Sequence, residues 1–205
     1  MPDPRRFAPA VARNRDAILD VLRARLPARG LVLEVASGSG EHAVHLAANL
    51  PALTFQPSDP HADARASIDA WVAASALPNV RCALALDATA AAWPLTAADA
   101  VLCVNMIHIA PWAACEGLMR GAALLLSGGS PLILYGPFKR GGHHTAPSND
   151  AFDAGLRAQN PDWGVRALED VTSLAVEQGF ALSEAVEMPA NNLTVVLRRT
   201  IPLNQ

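Results

Sequence analysis

Apolar and polar positions along this chain follow two periods, and the switches between them lay out the elements. Pro9 to Leu26 places Ala10, Arg13, Ala17, Leu19, Leu22 and Leu26 at helical spacing, which predicts a first helix that Pro27 to Gly30 ends. Leu31 to Val35 is a short apolar run holding one acid, the pattern of a buried strand. Glu41 to Leu50 reads as a helix stopped by Pro51. The rhythm then repeats, with a strand at Leu53 to Gln56 and a helix at His61 to Ala76 whose core side carries Ile68, Trp71 and Val72. A third strand is expected at Val80 to Leu86 and a fourth at Ala100 to Val104. Trp112 to Leu126 predicts a helix closed by Ser127-Gly128-Gly129, and Pro131 to Gly136 a fifth strand.

Pro137 to Trp163 breaks the alternation. It holds Lys139-Arg140-Gly141-Gly142-His143-His144 and a short helical stretch from Asn149 to Ala158. An insertion of this length at a strand end is a candidate lid or substrate loop. After a helix at Glu169 to Gln178, Phe180 to Glu187 and Leu193 to Arg199 flank Met188 to Asn192 and predict an antiparallel hairpin. The expected fold is therefore α/β, a Rossmann-like, doubly wound, mostly parallel seven-stranded sheet with a C-terminal antiparallel hairpin. We expect residues 1–205 to form one domain, with an N-terminal helix over 9–26 and a lid-like insertion over 137–163.

Such sheets bind ligands beyond the carboxyl ends of their strands. Glu34, Asp59, Asp87, Asn105 and Gly136 each lie at or just past an expected strand end. The first strand runs into Ala36-Ser37-Gly38-Ser39-Gly40, a loop of small residues ahead of a helix. That order exposes backbone N–H groups and a helix N-terminus to a ligand. Gly38 to Ala43 fits the dinucleotide pattern G-x-G-x-x-G/A, with Asp59 about 20 residues on. Glu34 speaks against a pyrophosphate there, because a carboxylate at that strand end suits a cationic group. S-adenosylmethionine (SAM) brings an amino group, a sulfonium, a ribose diol and an adenine amine. Asp59 can take the ribose diol and Asp87 the adenine amine.

Composition narrows the picture further. Net charge is −3 with no basic block, so nucleic acid is not an expected partner. Cys82, Cys103 and Cys115 form no close pair and no metal spacing, and read as reduced core thiols. His42 and His45 lie three apart on one helix without a third ligand, so no metal is expected. No apolar run is long enough for a membrane span, and a cytoplasmic protein is the expectation.

The motifs resemble the class I methyltransferase fold. More closely, the chain is similar to the methyltransferase-like family that includes human methyltransferase-like protein twenty-six. The likeness is carried by Arg13-Asn14, Glu34 to His42, Gln56 to Asp59, Asn105 to Trp112 and Tyr135 to Gly142. It continues through Ser148-Asn149, Phe152-Asp153, Leu156-Arg157, Trp163-Gly164 and Glu169 to Val171. The resemblance implies a methyltransferase that uses SAM, releases S-adenosylhomocysteine (SAH) and acts on a small molecule.

It places Asn14, Glu34, Ala36, Ser37, Gly38, Gly40, Asp59, Asp87, Ala88 and Asn105 at the cofactor. Ala36 stands where the wider class has glycine, so its backbone is expected to stay in a region alanine tolerates. His108 is the candidate general base, since histidine titrates near neutrality. Tyr135, Lys139, Arg140 and His143 are candidate substrate contacts. Two other readings are a SAM-binding protein without transfer chemistry and an NAD-dependent oxidoreductase. The alanine-rich helix faces and apolar hairpin offer a surface for a homodimer.

Overall fold

The structure, a computed structural model, describes residues 3–200. In chain order its elements are α1 (Pro9–Arg23), β1 (Gly30–Val35), α2 (Glu41–Asn49), β2 (Leu53–Asp59), α3 (Ala62–Ser75) and β3 (Leu84–Ala85). Then come β4 (Ala100–Val104), α4 (Trp112–Leu125), β5 (Pro131–Gly136), β6 (Lys139–Arg140), β7 (His143–His144) and α5 (Pro147–Gln159). The last three are α6 (Leu168–Glu177), β8 (Phe180–Met188) and β9 (Asn192–Arg199).

Seven strands form one sheet in the order β3-β2-β1-β4-β5-β9-β8. β1 to β5 run parallel, and β9 pairs antiparallel with β5 on one side and β8 on the other. The fold class read from the sequence is the one observed. The strands are apolar on both faces because each face is covered. Val32, Ala100, Leu102, Ile133 and Tyr135 pack with Ile18 and Leu22 of α1 and Leu46 of α2. Leu33, Val101, Cys103, Leu132 and Leu134 pack on the opposite face with Leu118 and Met119 of α4 and Val171 of α6. The alternation within each strand thus sorts neighbouring residues into two cores.

Several expectations change. β2 runs through Pro57 to Asp59 instead of stopping at Gln56. The expected third strand, Val80 to Leu86, shrinks to two residues plus a single bridge from Val80 to Phe55. Side chains replace its ladder. Gln56 Nε2 donates to the Cys82 carbonyl at 2.8 Å, and Asp69 Oδ1 accepts the Ala83 amide at 2.7 Å. Cys82 on this edge is exposed, not a core thiol, whereas Cys103 and Cys115 are buried.

Trp71 is not core either, because it holds the N-terminal segment. Its Nε1 donates to the Arg6 carbonyl at 3.0 Å, and Phe7 meets its ring edge-on at 5.1 Å. Ser67 Oγ and Glu41 Oε2 accept the amides of Arg6 and Ala8 at 2.8 and 2.7 Å. These contacts fix where α1 begins, across the ends of α2 and α3.

Candidate functional site

The loop after β1 is stitched to the end of β2. Ser37 N–H donates to the Ser58 carbonyl at 2.8 Å, and Ser37 Oγ accepts the Ser58 amide at 3.2 Å. Gly38 N–H donates to Asp59 Oδ2 at 3.1 Å, while His61 N–H donates to Oδ1 at 3.0 Å. Two backbone amides therefore hold Asp59 in place at the strand end.

Gly38 and Gly40 have positive φ for different reasons. A Cβ on Gly40 would lie 2.7 Å from the Ile68 Cα, so α3 requires glycine there. A Cβ on Gly38 would meet nothing within 4 Å, so that side of the loop faces open space. Ala36 departs from expectation. Its φ is 57°, the left-handed region, which costs a residue with a Cβ about 1–2 kcal/mol. The turn out of β1 demands this geometry whether or not glycine is present.

Glu34 is only 1% exposed, and its Oε2 has no hydrogen-bond partner. Burial pushes its carboxyl up to about 7, with Ser37 opposing and the nearby Asp59 charge adding. A buried acceptor without a donor is costly, and folded chains rarely keep one idle. Asp87 is exposed and caps its own turn, Oδ1 accepting from Thr89 N and Oγ1, each at 2.8 Å. Ala88 beside it is buried against Gly117 of α4, where a Cβ would meet the Ala88 carbonyl at 2.1 Å.

Further along the rim lies a cavity of about 490 Å³, walled by α1, the segment after β4, the end of β5, α5 and the β8–β9 turn. Asn105 bounds it from the end of β4. It also adopts positive φ, and its N–H donates to the Tyr135 carbonyl at 2.8 Å. Tyr135 is buried. Burial raises its hydroxyl pKa, while hydrogen bonds with Asn14 and Asn192 oppose that rise. Asn14 Oδ1 and His42 Nε2 lie 2.9 Å apart in a hydrogen bond, tying the cavity wall to α2 behind the glycine loop. Asn149 Nδ2 donates to the Asn191 carbonyl at 2.9 Å and fastens α5 to the β8–β9 turn.

The other expected site residues are placed elsewhere. His108 is fully buried behind Gly136, where a Cβ would meet its Nε2 at 2.5 Å. Burial and the Arg166 cation push the imidazole down to about 3, so it does not titrate near neutrality as expected. Its Nε2 has no partner, and its Nδ1 faces the Arg166 amide at 3.4 Å.

Lys139 Nζ pairs with Asp153 Oδ2 at 2.9 Å, and Arg140 with Glu187 at 3.3 Å. His143 is exposed on the β6–β7 hairpin. None of these three lines the 490 Å³ cavity. Lys139 instead borders a separate cavity of about 710 Å³ beside α4 and α6; no glycine-loop residue lines either cavity, but Asn14 and Asn105 line the 490 Å³ one. Asp153 also receives Arg157 Nε at 3.2 Å and the Val165 amide at 2.7 Å, and His144 Nε2 lies 3.2 Å away. The insertion is thus latched down through one buried carboxylate.

The sequence reading missed Asn192, Asn149, Phe152 and Ile109 as wall residues. Phe152 and Ile109 are large apolar side chains left 44% and 45% exposed, a signal that needs the fold to be visible. His42 and His45 turn to Asn14 and Asp16, and among the described residues no group of three His, Cys, Asp or Glu is placed to hold a metal. Among the same residues no helix is long and apolar enough to cross a membrane.

Comparison with known proteins places the fold. A family model described as "Protein of unknown function (DUF938)" matches residues 5–199. Solved structures of methyltransferases share the fold. A putative O-methyltransferase from Nostoc punctiforme superposes with a TM-score of 0.79 at 19% identity, covering 92% of this chain and 56% of that one. An O-methyltransferase family 2 protein from Planctomyces limnophilus, in complex with apigenin, gives 0.77 at 17% identity, covering 91% and 56%. CalO1, a methyltransferase in calicheamicin biosynthesis in its SAH-bound form, gives 0.74 at 16%, covering 91% and 54%. The chain spans a little over half the length of each of these proteins, and at these identities the likeness is one of fold.

Proposed function

We propose that this chain, which belongs to the DUF938 family, is a SAM-dependent methyltransferase acting on a small molecule. One observation carries the reading. Glu34 Oε2 is a buried acceptor without a donor, beside Asp59 at the strand ends, and a cofactor rich in donors and positive charge fits that demand. A pyrophosphate would meet repulsion at the same point. The shared fold with methyltransferases, one of them SAH-bound, supports the choice, as does the likeness to the family of methyltransferase-like protein twenty-six.

In this reading Gly38 and Gly40 approach the cofactor through their backbones, Asp59 takes the ribose diol, and Asp87 and Ala88 border the adenine. Glu34 answers the cationic end, and Asn14 and Asn105 stand between cofactor and acceptor. When bound, the cofactor supplies an activated methyl group, so the chain contributes alignment and exclusion of water. The insertion, latched by Asp153, backs the acceptor side of the cavity. His108 stiffens the wall behind Gly136 and does not take a proton.

Thermal unfolding with SAM, SAH and NAD in parallel tests the reading. A ligand at ~100 times its dissociation constant adds about 2.7 kcal/mol of stability. For a chain of this length that is a rise of roughly 5–10 °C. SAM and SAH are expected to produce it. A rise with NAD alone would overturn the proposal.

A further inference from the structure

The acceptor cavity offers no group able to take a proton, and we infer that the acceptor arrives already ionised at the atom that attacks, as a thiolate or an acidic phenolate or enolate of a flat molecule. The inference rests on the methyltransferase reading and concerns the substrate class of the same site. Five stretches of chain wall the cavity, and among the described residues they bring two ionisable side chains to it, Arg13 from α1 and Tyr135 from β5. No Asp, Glu, His, Lys or Cys lines it. Its remaining polar groups are neutral, chiefly the side-chain amides of Asn14, Asn105, Asn149 and Asn192.

Neither ionisable group is a base. A guanidinium is permanently charged. Tyr135 is protonated, and its hydroxyl is engaged by Asn14 and Asn192. Two imidazoles lie behind the wall: His108 is sealed behind the Gly136 backbone, with Nδ1 turned to the Arg166 amide, and His42 is buried on the far side of Asn14, whose Oδ1 its Nε2 meets at 2.9 Å. An alcohol or ordinary phenol would therefore have nowhere to send its proton. An amine would leave a new ammonium near Arg13 with no carboxylate to receive it.

An anion meets the opposite situation. Arg13 favours it by charge, and Phe152 and Ile109 add apolar surface for a flat partner. The bond changes then balance without the protein. A lone pair on the anionic atom forms the bond to the methyl carbon, and the methyl–sulfonium bond leaves with its electrons. An anion and a cation become two neutral products, and no proton moves. Neutralising charge in this way is favoured wherever bound cofactor and acceptor displace water from the reacting atoms.

The test uses the full chain with SAM and three acceptors of one shape, thiophenol, phenol and benzylamine, extended by arylthiols of graded acidity, an acidic nitrophenol and an acidic 1,3-diketone. Thiophenol is ionised near neutral pH, whereas phenol is not. Product and SAH are followed by mass spectrometry. The ultraviolet band of the thiolate, recorded with the SAH-loaded protein, reports its charge state without turnover.

We expect thiophenol to be methylated at least ~100-fold faster than phenol, the scale of an absent general base. The bound thiol is expected to remain a thiolate. Arg13→Met is expected to raise KM for thiophenol about tenfold with little change in kcat, and to leave the SAM-induced thermal shift intact. Phenol or benzylamine reacting as fast as thiophenol overturns the inference, as does a bound thiol that stays protonated. If SAM shifts the unfolding temperature and neither the arylthiols nor the nitrophenol nor the 1,3-diketone reacts, the inference falls while the cofactor reading stands. If SAM produces no shift, the proposed function itself falls.

Discussion

The rim above the strand ends has two halves built in opposite ways. Over β1 and β2 the working groups are neighbours in sequence, Glu34 to Glu41 and Ser58 to His61, and backbone hydrogen bonds wire them together. One demand there stays unmet, the Glu34 carboxylate. Over β4, β5 and β9 the lining comes from five distant stretches; Asn14, Tyr135 and Asn192 are matched to one another there, while His108 Nε2 and Thr194 Oγ1 behind the lining have no partner. In the proposed reading the first half is the part that meets a donor-rich cation. The second is a wall of amides with one cation, Arg13, which in the same reading faces the acceptor.

The sharpest way to break that contrast is Asp59→Ala. It removes both carboxylate oxygens that hold the Gly38 and His61 amides, together with the expected ribose ligand. We expect SAM affinity by calorimetry to fall about a thousandfold, ~4 kcal/mol, two charge-assisted hydrogen bonds plus loop order. Unchanged affinity would remove Asp59 from the cofactor site.

Next comes the latch of the opposite half. Asp153→Asn strips the charge partner from Lys139 and Arg157. Removing one side of a largely buried pair costs about 3 kcal/mol. The unfolding temperature is expected to fall by roughly 6–12 °C while SAM affinity stays put. A joint loss of both would show the two halves to be one unit.

Glu34→Gln probes the unmet demand through pH. The folded carboxyl titrates at about 7, against an ordinary value of 4.5. Its folded pKa is raised, so the folded state holds the proton more tightly. The associated stability is present below the ordinary value and is lost as pH rises to about 7, a loss of up to about 3 kcal/mol. The variant is expected to gain stability over the native chain across that interval, and to bind SAM more weakly above it. A stability difference flat between pH 4 and 8 would show that Glu34 is not the titrating group.

The smallest effect belongs to Ala36→Gly. Relief of the left-handed backbone is expected to outweigh the added chain entropy and raise stability by up to about 1 kcal/mol, read from the urea midpoint. A lower midpoint would mean that the alanine methyl packs at a profit.

The same contrast explains what was legible beforehand. The strands β4 and β5 match their sequence bounds because two covered faces leave an unbroken apolar signature. The glycine loop and Asp59 could be read because the turn, the helix start and the acid sit within local reach. β3 could not, since Gln56 and Asp69 satisfy its backbone from elsewhere in the fold. Lys139 and Arg140 looked free only because Asp153 and Glu187, which engage them, are remote in the chain. His108 looked reactive because nothing in a linear string announces that Gly136 will close over it. Ala36 shows the limit from the other side, since a residue type reports what is comfortable and not what a turn imposes.

The antiparallel strand β9, wedged between β5 and β8, has a consequence for how the molecule is born. Synthesis proceeds from the N-terminus, so β1, β2 and the glycine loop have left the ribosome long before β9 is made. That half can therefore pair its strands early. The wall of the 490 Å³ cavity cannot, because Asn192 and the β8–β9 turn arrive with the strand that closes the sheet. Until then β5 presents an apolar, unpaired edge, the kind of surface that invites aggregation. If the proposed function holds, a nascent chain acquires a place for its cofactor well before it has any place for a substrate.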